Sequence, residues 1–229
     1  MDDGMSADGT STTKKPGRKN DPEGTKQDIL DVATEEFSSL GFAGGRVDAI
    51  AARTRTTKRM IYYYFGSKED LYLAVLEKAY GDIRAIENNL NLQDQEPERA
   101  IRSLIEFTFD YQEQHEDFIR LVSIENIHRA QHMKDSKVIR NLNVAVIDTL
   151  AKILERGRAE GVFRADIQPI DLHMMISAFC FFRVSNRHTF NLIFHQDLSA
   201  PDTRARHKRM IGDAIISLLK GEPQHRQDS

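Results

Sequence analysis

Cysteine is almost missing from this 229-residue chain. Cys180 stands alone, so no intrachain disulfide can form and a reducing compartment is expected. Its thiol lies in an apolar run with no histidine at a suggestive spacing, which leaves it without support as a nucleophile. Long hydrophobic runs are also missing: no stretch is long enough to cross a membrane, and the amino terminus lacks the apolar core of a signal peptide. The expected location is the cytoplasm. Neither an alternating strand pattern nor a glycine-rich nucleotide loop occurs. With only scattered histidines and one cysteine, the chain offers no acid, base and nucleophile set, so neither an enzyme nor a bound cofactor is expected.

A net charge of -3 argues against a nucleic-acid binder until it is divided by region. Between Lys14 and Lys68 there are 11 basic and 7 acidic residues, a surplus of +4, which leaves -7 for the remainder. A basic head on an acidic body suits binding of DNA through one face, with strong salt dependence.

The head contains the string RVDAIAARTRTTKRMIYYYFGSK, from Arg46 to Lys68. Val47, Ile50 and Ala51 share one face of a short helix. The chain then breaks at Thr54-Arg55-Thr56, and Thr57 is placed to cap a second helix running to Phe65. On that helix Ile61 and Phe65 point inward, and Lys58, Arg59 and Met60 occupy the exposed first turn, the part of a recognition helix that reaches base edges. Tyr62, Tyr63 and Tyr64 cannot all enter one small core, so at least one ring faces outward toward DNA. Tyr62 serves equally as a brace of the core. After Gly66, Ser67 caps the next helix and Lys68 adds its charge to that helix's amino-terminal end as a phosphate anchor. The pattern is that of a helix-turn-helix.

The string from Ile50 to Lys68, preceded by a helix at Thr25 to Leu40 that stops at Gly41, resembles the amino-terminal domain of the TetR family of bacterial repressors. The Ile-Ala, Tyr-Tyr-Phe and Ser-Lys-Glu-Asp-Leu spacings carry the likeness. Two positions depart from it. Arg55 replaces the usual turn glycine, and Gly45-Arg46 replaces the usual Ser or Thr cap of the second helix. The resemblance implies phosphate or base contacts from Thr57, Lys58, Arg59, Met60, Tyr62, Tyr63, Tyr64 and Lys68, with Tyr64 and Lys68 on phosphate; Arg46 adds a further phosphate contact.

The expected fold is all-α: a three-helix DNA-binding domain over residues 21–68, then a helical regulatory and dimerisation bundle over 69–221. Residues 1–20 read as a disordered basic arm, or as a minor-groove arm through Lys14, Lys15, Arg18 and Lys19; 222–229 read as a disordered tail. A connector helix from Lys68 toward Asn89 belongs to both domains. Further helices are expected at Pro97 to His115, Asp117 to Met133, Ser136 to Glu160, Pro169 to His188 and Arg204 to Lys220. His173 to Phe182 is apolar nearly all round, which one bundle covers only in part, so a two-fold homodimer with the last helix in the interface is expected. One well-filled core is the alternative.

Polar residues inside apolar helices mark a sensor site. The candidates are Arg120, Glu125, Asn126 and His128; His173, Arg183 and Asn186; and the aromatic groups Phe107, Tyr111, Phe179 and Phe182. A flat aromatic or acidic effector would lie against Phe179 or Phe182, its carboxylate on Arg120 or Arg183. Salt bridges within the bundle explain the same arginines. The carboxy-terminal half is diffusely similar to the branch of the family that senses nitrogen-containing rings such as pyrimidines and pyridine carboxylates. His128 and His132, four apart with Glu125 before them, have usable metal-ligand spacing, but no HExxH pattern accompanies them and no metal site is assigned. The function expected is a ligand-responsive dimeric repressor that leaves a palindromic double-stranded DNA operator when an effector binds. The alternatives are an effector-free DNA binder and a helical enzyme with a DNA-binding head.

Overall fold

The computed structural model describes residues 21–54, 56–164 and 166–221. The amino-terminal arm, the carboxy-terminal tail and the turn residue Arg55 lie outside the described residues. Ten α-helices, one short 3-10 helix (Leu92–Asp94) and no strand occur among the residues described. The α-helices are α1 (Pro22–Gly44), α2 (Val47–Arg53), α3 (Lys58–Phe65), α4 (Lys68–Asn88), α5 (Pro97–Gln114), α6 (Glu116–Ile127), α7 (Lys137–Ala159), α8 (Pro169–Ser185), α9 (Arg187–Phe194) and α10 (Pro201–Lys220).

Local chemistry fixes several of the boundaries. Thr57 accepts the Met60 N–H at 3.2 Å and Ser67 the Asp70 N–H at 3.0 Å, so both expected caps are in place. Pro97, Pro169 and Pro201 sit in first turns, where a missing N–H costs nothing. The sequence placed the end of α1 at Gly41, but that residue (φ 70°, ψ 177°) makes a kink and a last turn continues to Gly44. Leu40, just before the kink, is exposed. Gly45 lies against Phe37, and a Cβ there would come within 2.5 Å of the ring. Arg46 heads α2 without a side-chain cap; its N–H is bound instead by Glu36 Oε1 from α1 at 3.0 Å.

Two other expectations change. The helix placed at Asp117 to Met133 ends at Ile127, because Arg129 and Ala130 take left-handed backbone angles. His128 and His132 are therefore not neighbours on one helical face. The helix placed at Pro169 to His188 stops at Ser185, and α9 follows as a separate element whose Leu192, Ile193 and Phe194 are exposed.

Two large cores organise the chain. The first joins Ile29, Ala33 and Phe37 of α1 to Ile50, Ile61, Leu71, Tyr72 and Val75, and continues into Leu121 of α6 and Ile139 of α7. The head therefore shares its core with the body. The second core, built around Ile101, Ile105, Phe109, Leu150, Leu154, Leu172, Ile176, Ile215 and Leu219, fills the bundle of α5, α7, α8 and α10. Each such fully buried side chain contributes roughly 1.5–3 kcal/mol.

Candidate DNA-reading head and effector cavity

On α3 only Ile61 is fully buried, which turns the opposite face to solvent. Lys58, Arg59, Met60, Tyr62 and Tyr63 are exposed there, as is Thr57 just before them. Tyr63 is the most open at 78% exposure, whereas Tyr64 is half-buried against the head core and meets Tyr63 edge to face at 5.5 Å. Lys58 Nζ lies 3.1 Å from Asp48 of α2, an exposed pair that costs little to exchange for phosphate. Arg46 is exposed at the start of α2. Lys68 is half-buried, its ammonium 4.8 Å over the Phe42 ring. The head thus gathers Arg46, Thr57, Lys58, Arg59, Met60, Tyr62 and Tyr63 on or beside one exposed surface, with Tyr64 and Lys68 at its margin.

The sensor candidates, in contrast, are dispersed. Arg183 is buried: it pairs with Glu113 at 2.6 Å, donates from Nε to His207 Nδ1 at 3.1 Å and from Nη2 to the Leu198 carbonyl, and covers the Phe109 ring. It ties α8 to α5 and α10. Arg120 donates to the carbonyls of Ser38 and Ser39 just before the α1 kink, at 2.8 and 3.3 Å. Glu125 is 1% exposed and accepts from the Tyr72 hydroxyl at 3.0 Å and from His132 Nδ1 at 2.8 Å, which joins α6 to the connector. Tyr111 stacks on His115 at 3.9 Å, and Phe107 packs beside it at 5.7 Å. Asn126 and His128 are exposed at the end of α6, and Asn186 caps α8. Phe179 and Phe182 are exposed on the outer face of α8. Among the described residues no group of three metal-ligating side chains forms.

A cavity of about 280 Å³ lies between α4, α5, α6, α7 and α8. Of the candidates named from sequence, His173 lines it; burial, and then the Arg84 charge, hold its imidazole below the usual histidine range. The other walls are groups the sequence did not single out. Tyr80, Phe118 and Phe181 supply rings, while Arg84, Gln112 and Asn143 supply polar atoms. Arg84 bonds Glu87 on its own helix and donates to Asn143 Oδ1 at 3.1 Å. Burial pushes the Glu87 carboxyl above its ordinary value against the opposing pull of Arg84. Two polar atoms in this wall, Arg84 Nε and Gln112 Oε1, are buried without a partner.

One helix links head and cavity. The first residue of α4 is Lys68, at the margin of the exposed head surface, and its last two turns carry Arg84 and Glu87. No described helix is long and apolar enough to cross a membrane.

Comparison with known proteins points the same way. The family described as bacterial regulatory proteins, tetR family, matches residues 29–75, and the tetracyclin repressor-like carboxy-terminal domain matches residues 97–215. The chain is 37% identical over 209 residues to the HTH-type transcriptional repressor NicS of Pseudomonas putida, covering 91% of this chain and 99% of that one. It is 38% identical over 107 residues to the HTH-type transcriptional repressor SCO4008 of Streptomyces coelicolor, or 47% of this chain and 52% of the other. A tetR-family regulatory protein from Rhodococcus RHA1 superposes with a TM-score of 0.66 at 16% identity, covering 85% of this chain and 96% of that one. FadR from Bacillus subtilis, in complex with stearoyl-CoA, superposes with a TM-score of 0.63 at 16% identity, covering 84% and 98%. These two likenesses are of fold.

Proposed function

Because this chain belongs to the TetR family of bacterial DNA-binding transcriptional regulators, we propose that it is a homodimeric repressor released from a palindromic operator by a small ring-shaped effector. The observation that carries this reading is α4, a single helix with one end at the DNA-reading surface and the other in the wall of the cavity. An effector that prefers one packing of the cavity walls moves the far end of α4, and the head moves with it. In the DNA-bound state Lys58, Arg59 and Met60 face base edges, and Arg46, Thr57, Tyr62, Tyr63, Tyr64 and Lys68 face phosphate or base edges.

Dimerisation uses the outer faces of α8 and α10. Met174, Ala178 and Phe182 form an exposed ridge at four-residue spacing on α8, with Phe179 beside it, and Met210, Ala214 and Leu218 repeat the spacing on α10. Ile211, Ile215, Ile216 and Leu219 of α10 already fill the core. Two apolar ridges on adjacent helices are a larger patch than a monomer ordinarily leaves in water, and a second copy covers them with two-fold symmetry. Two heads then address major grooves about 34 Å apart.

The cavity lies at the small end of the range for ligand sites, roughly 300–1,000 Å³, and suits one or two rings between Tyr80, Phe118 and Phe181. The polar side chains of Arg84, Gln112 and Asn143 among those rings favour an effector-responsive protein over an effector-free one, because they give a bound ring polar groups to meet. The test is a reporter whose promoter overlaps DNA that the protein retains from a random pool. Repression that depends on Arg59 and Tyr63 is expected; activation of the reporter would assign the opposite polarity.

A further inference from the structure

Helix α2 begins without the two groups that ordinarily close a helix start. Arg46 stands at its N-cap and makes no side-chain cap bond, and Ala49, three residues on, has no carboxylate to reach back to the Arg46 N–H. Glu36 does so from α1. Its Oε1 accepts the Arg46 N–H at 3.0 Å, and its Oε2 lies 3.9 Å from Nη1 of Arg53, the last residue of α2. One carboxylate therefore engages both ends of α2. Arg53 also pairs with Glu35, but that side chain is 67% exposed, whereas only 10% of the Glu36 side chain meets solvent. A carboxylate so far withdrawn from water is costly unless its oxygens have partners, and here each has one.

Gly45 sets the approach that this bond requires. A Cβ there would come within 2.5 Å of the Phe37 ring, which is fully buried in the head core. The chain passes this close to α1 because position 45 has no side chain, and the next N–H falls on Glu36. With 7 residues, α2 is too short to hold its shape alone in water, so its set comes from its contacts. Ile50 of α2 and Ile61 of α3 are fully buried in one core, so the set of α2 is passed to the recognition helix. Resting on the DNA-binding function of the family, and not on the effector or the dimer interface, we infer that Glu36 is a positioning residue for DNA binding: it completes the start of α2 from α1 and thereby fixes the angle at which Arg46 and α3 meet the duplex.

The test moves the carboxylate from one helix to the other. Glu36→Ala removes both bonds. Glu36→Ala with Ala49→Glu returns a carboxylate at the third position of α2, where it can reach the same N–H at unchanged net charge. Full-length protein is titrated with a duplex retained from a random pool and with a scrambled duplex of equal length, and exchange of the Arg46 amide hydrogen is followed. Glu36→Ala is expected to weaken the retained duplex about 3- to 30-fold, as for loss of one helix cap, and to speed Arg46 exchange. The scrambled duplex is expected to lose less, because phosphate contacts tolerate a change of angle that base contacts do not. Adding Ala49→Glu is expected to recover most of the affinity and of the protection. Glu36→Gln keeps an acceptor for Arg46 and gives up only the ionic part of the Arg53 contact, so it is expected to cost no more than about threefold. Full affinity in Glu36→Ala overturns the inference. Equal losses in Glu36→Gln and Glu36→Ala overturn it too, by making the role one of charge. Equal weakening of both duplexes overturns it by reducing Glu36 to a general stabiliser of the head, and so does a loss that persists when Ala49→Glu has restored Arg46 protection. If the parent protein retains no duplex, the operator reading fails and the positioning role fails with it, whatever the exchange rates.

Discussion

Replacing Tyr72 by Phe removes one oxygen from the joint between head and body. Tyr72 is fully buried on α4, one turn after Lys68, and its hydroxyl donates to Glu125 Oε1 of α6 at 3.0 Å. Burial first, and then the Glu125 charge, raise the Tyr72 hydroxyl well above the ordinary tyrosine value, so it stays a donor throughout the working range of pH. Glu125, at 1% exposure, has His132 as its other side-chain donor, at 2.8 Å. The ring contacts, 5.0 Å to Phe37 and 5.4 Å to Phe42, survive in Tyr72→Phe, so the substitution isolates the hydrogen bond. A hydrogen bond to a charged group contributes about 1.5–3 kcal/mol, and in a chain of this length each kcal/mol moves the melting temperature by roughly 2–4 °C. The expected loss is about 3–12 °C by calorimetry. A loss below about 1 °C, or a gain, would refute the claim that this bond holds head and body together.

Lys68→Ala is expected to weaken binding to all duplexes about uniformly and to lower the salt slope by roughly one counterion, and unchanged affinity would remove its phosphate role. Phe179→Asp combined with Phe182→Asp changes two exposed positions on α8 and should give a folded monomer by sedimentation, whereas a persistent dimer would move the interface elsewhere. Phe181, half-buried on the same helix, lines the cavity between α4 and α8 instead. Cys180 is 2% exposed, and burial pushes its thiol up to about 12, so it should resist a disulfide reagent at mildly alkaline pH until the protein is denatured; prompt labelling of the folded protein would contradict that burial.

The parts of this fold that were legible in the sequence are those decided within one or two helical turns. Thr57 and Ser67 read as caps because the amides they bind lie three residues away. Prolines and periodic apolar positions located the helices for the same reason. The surroundings of the polar candidates were illegible because their partners lie far along the chain. Arg183 looked available until α5 brought Glu113, 70 positions away, against it, and Arg120 until α1 offered its carbonyls. Arg84 and Glu87, three apart on a helix, had the opposite appearance, that of an ordinary surface ion pair. Only the packing of α4 against α7 buries them. Gln112 carried a faint signal, as a polar residue on an otherwise apolar face of α5.

The most direct measurement is selection of bound fragments from a random duplex pool by the purified full-length protein at moderate salt. The expected outcome is a palindrome whose half-sites are centred about one helical turn apart, retained by two copies of the chain. Enrichment of a single unsymmetrical half-site, or of no sequence at all, would contradict a dimeric operator-binding repressor.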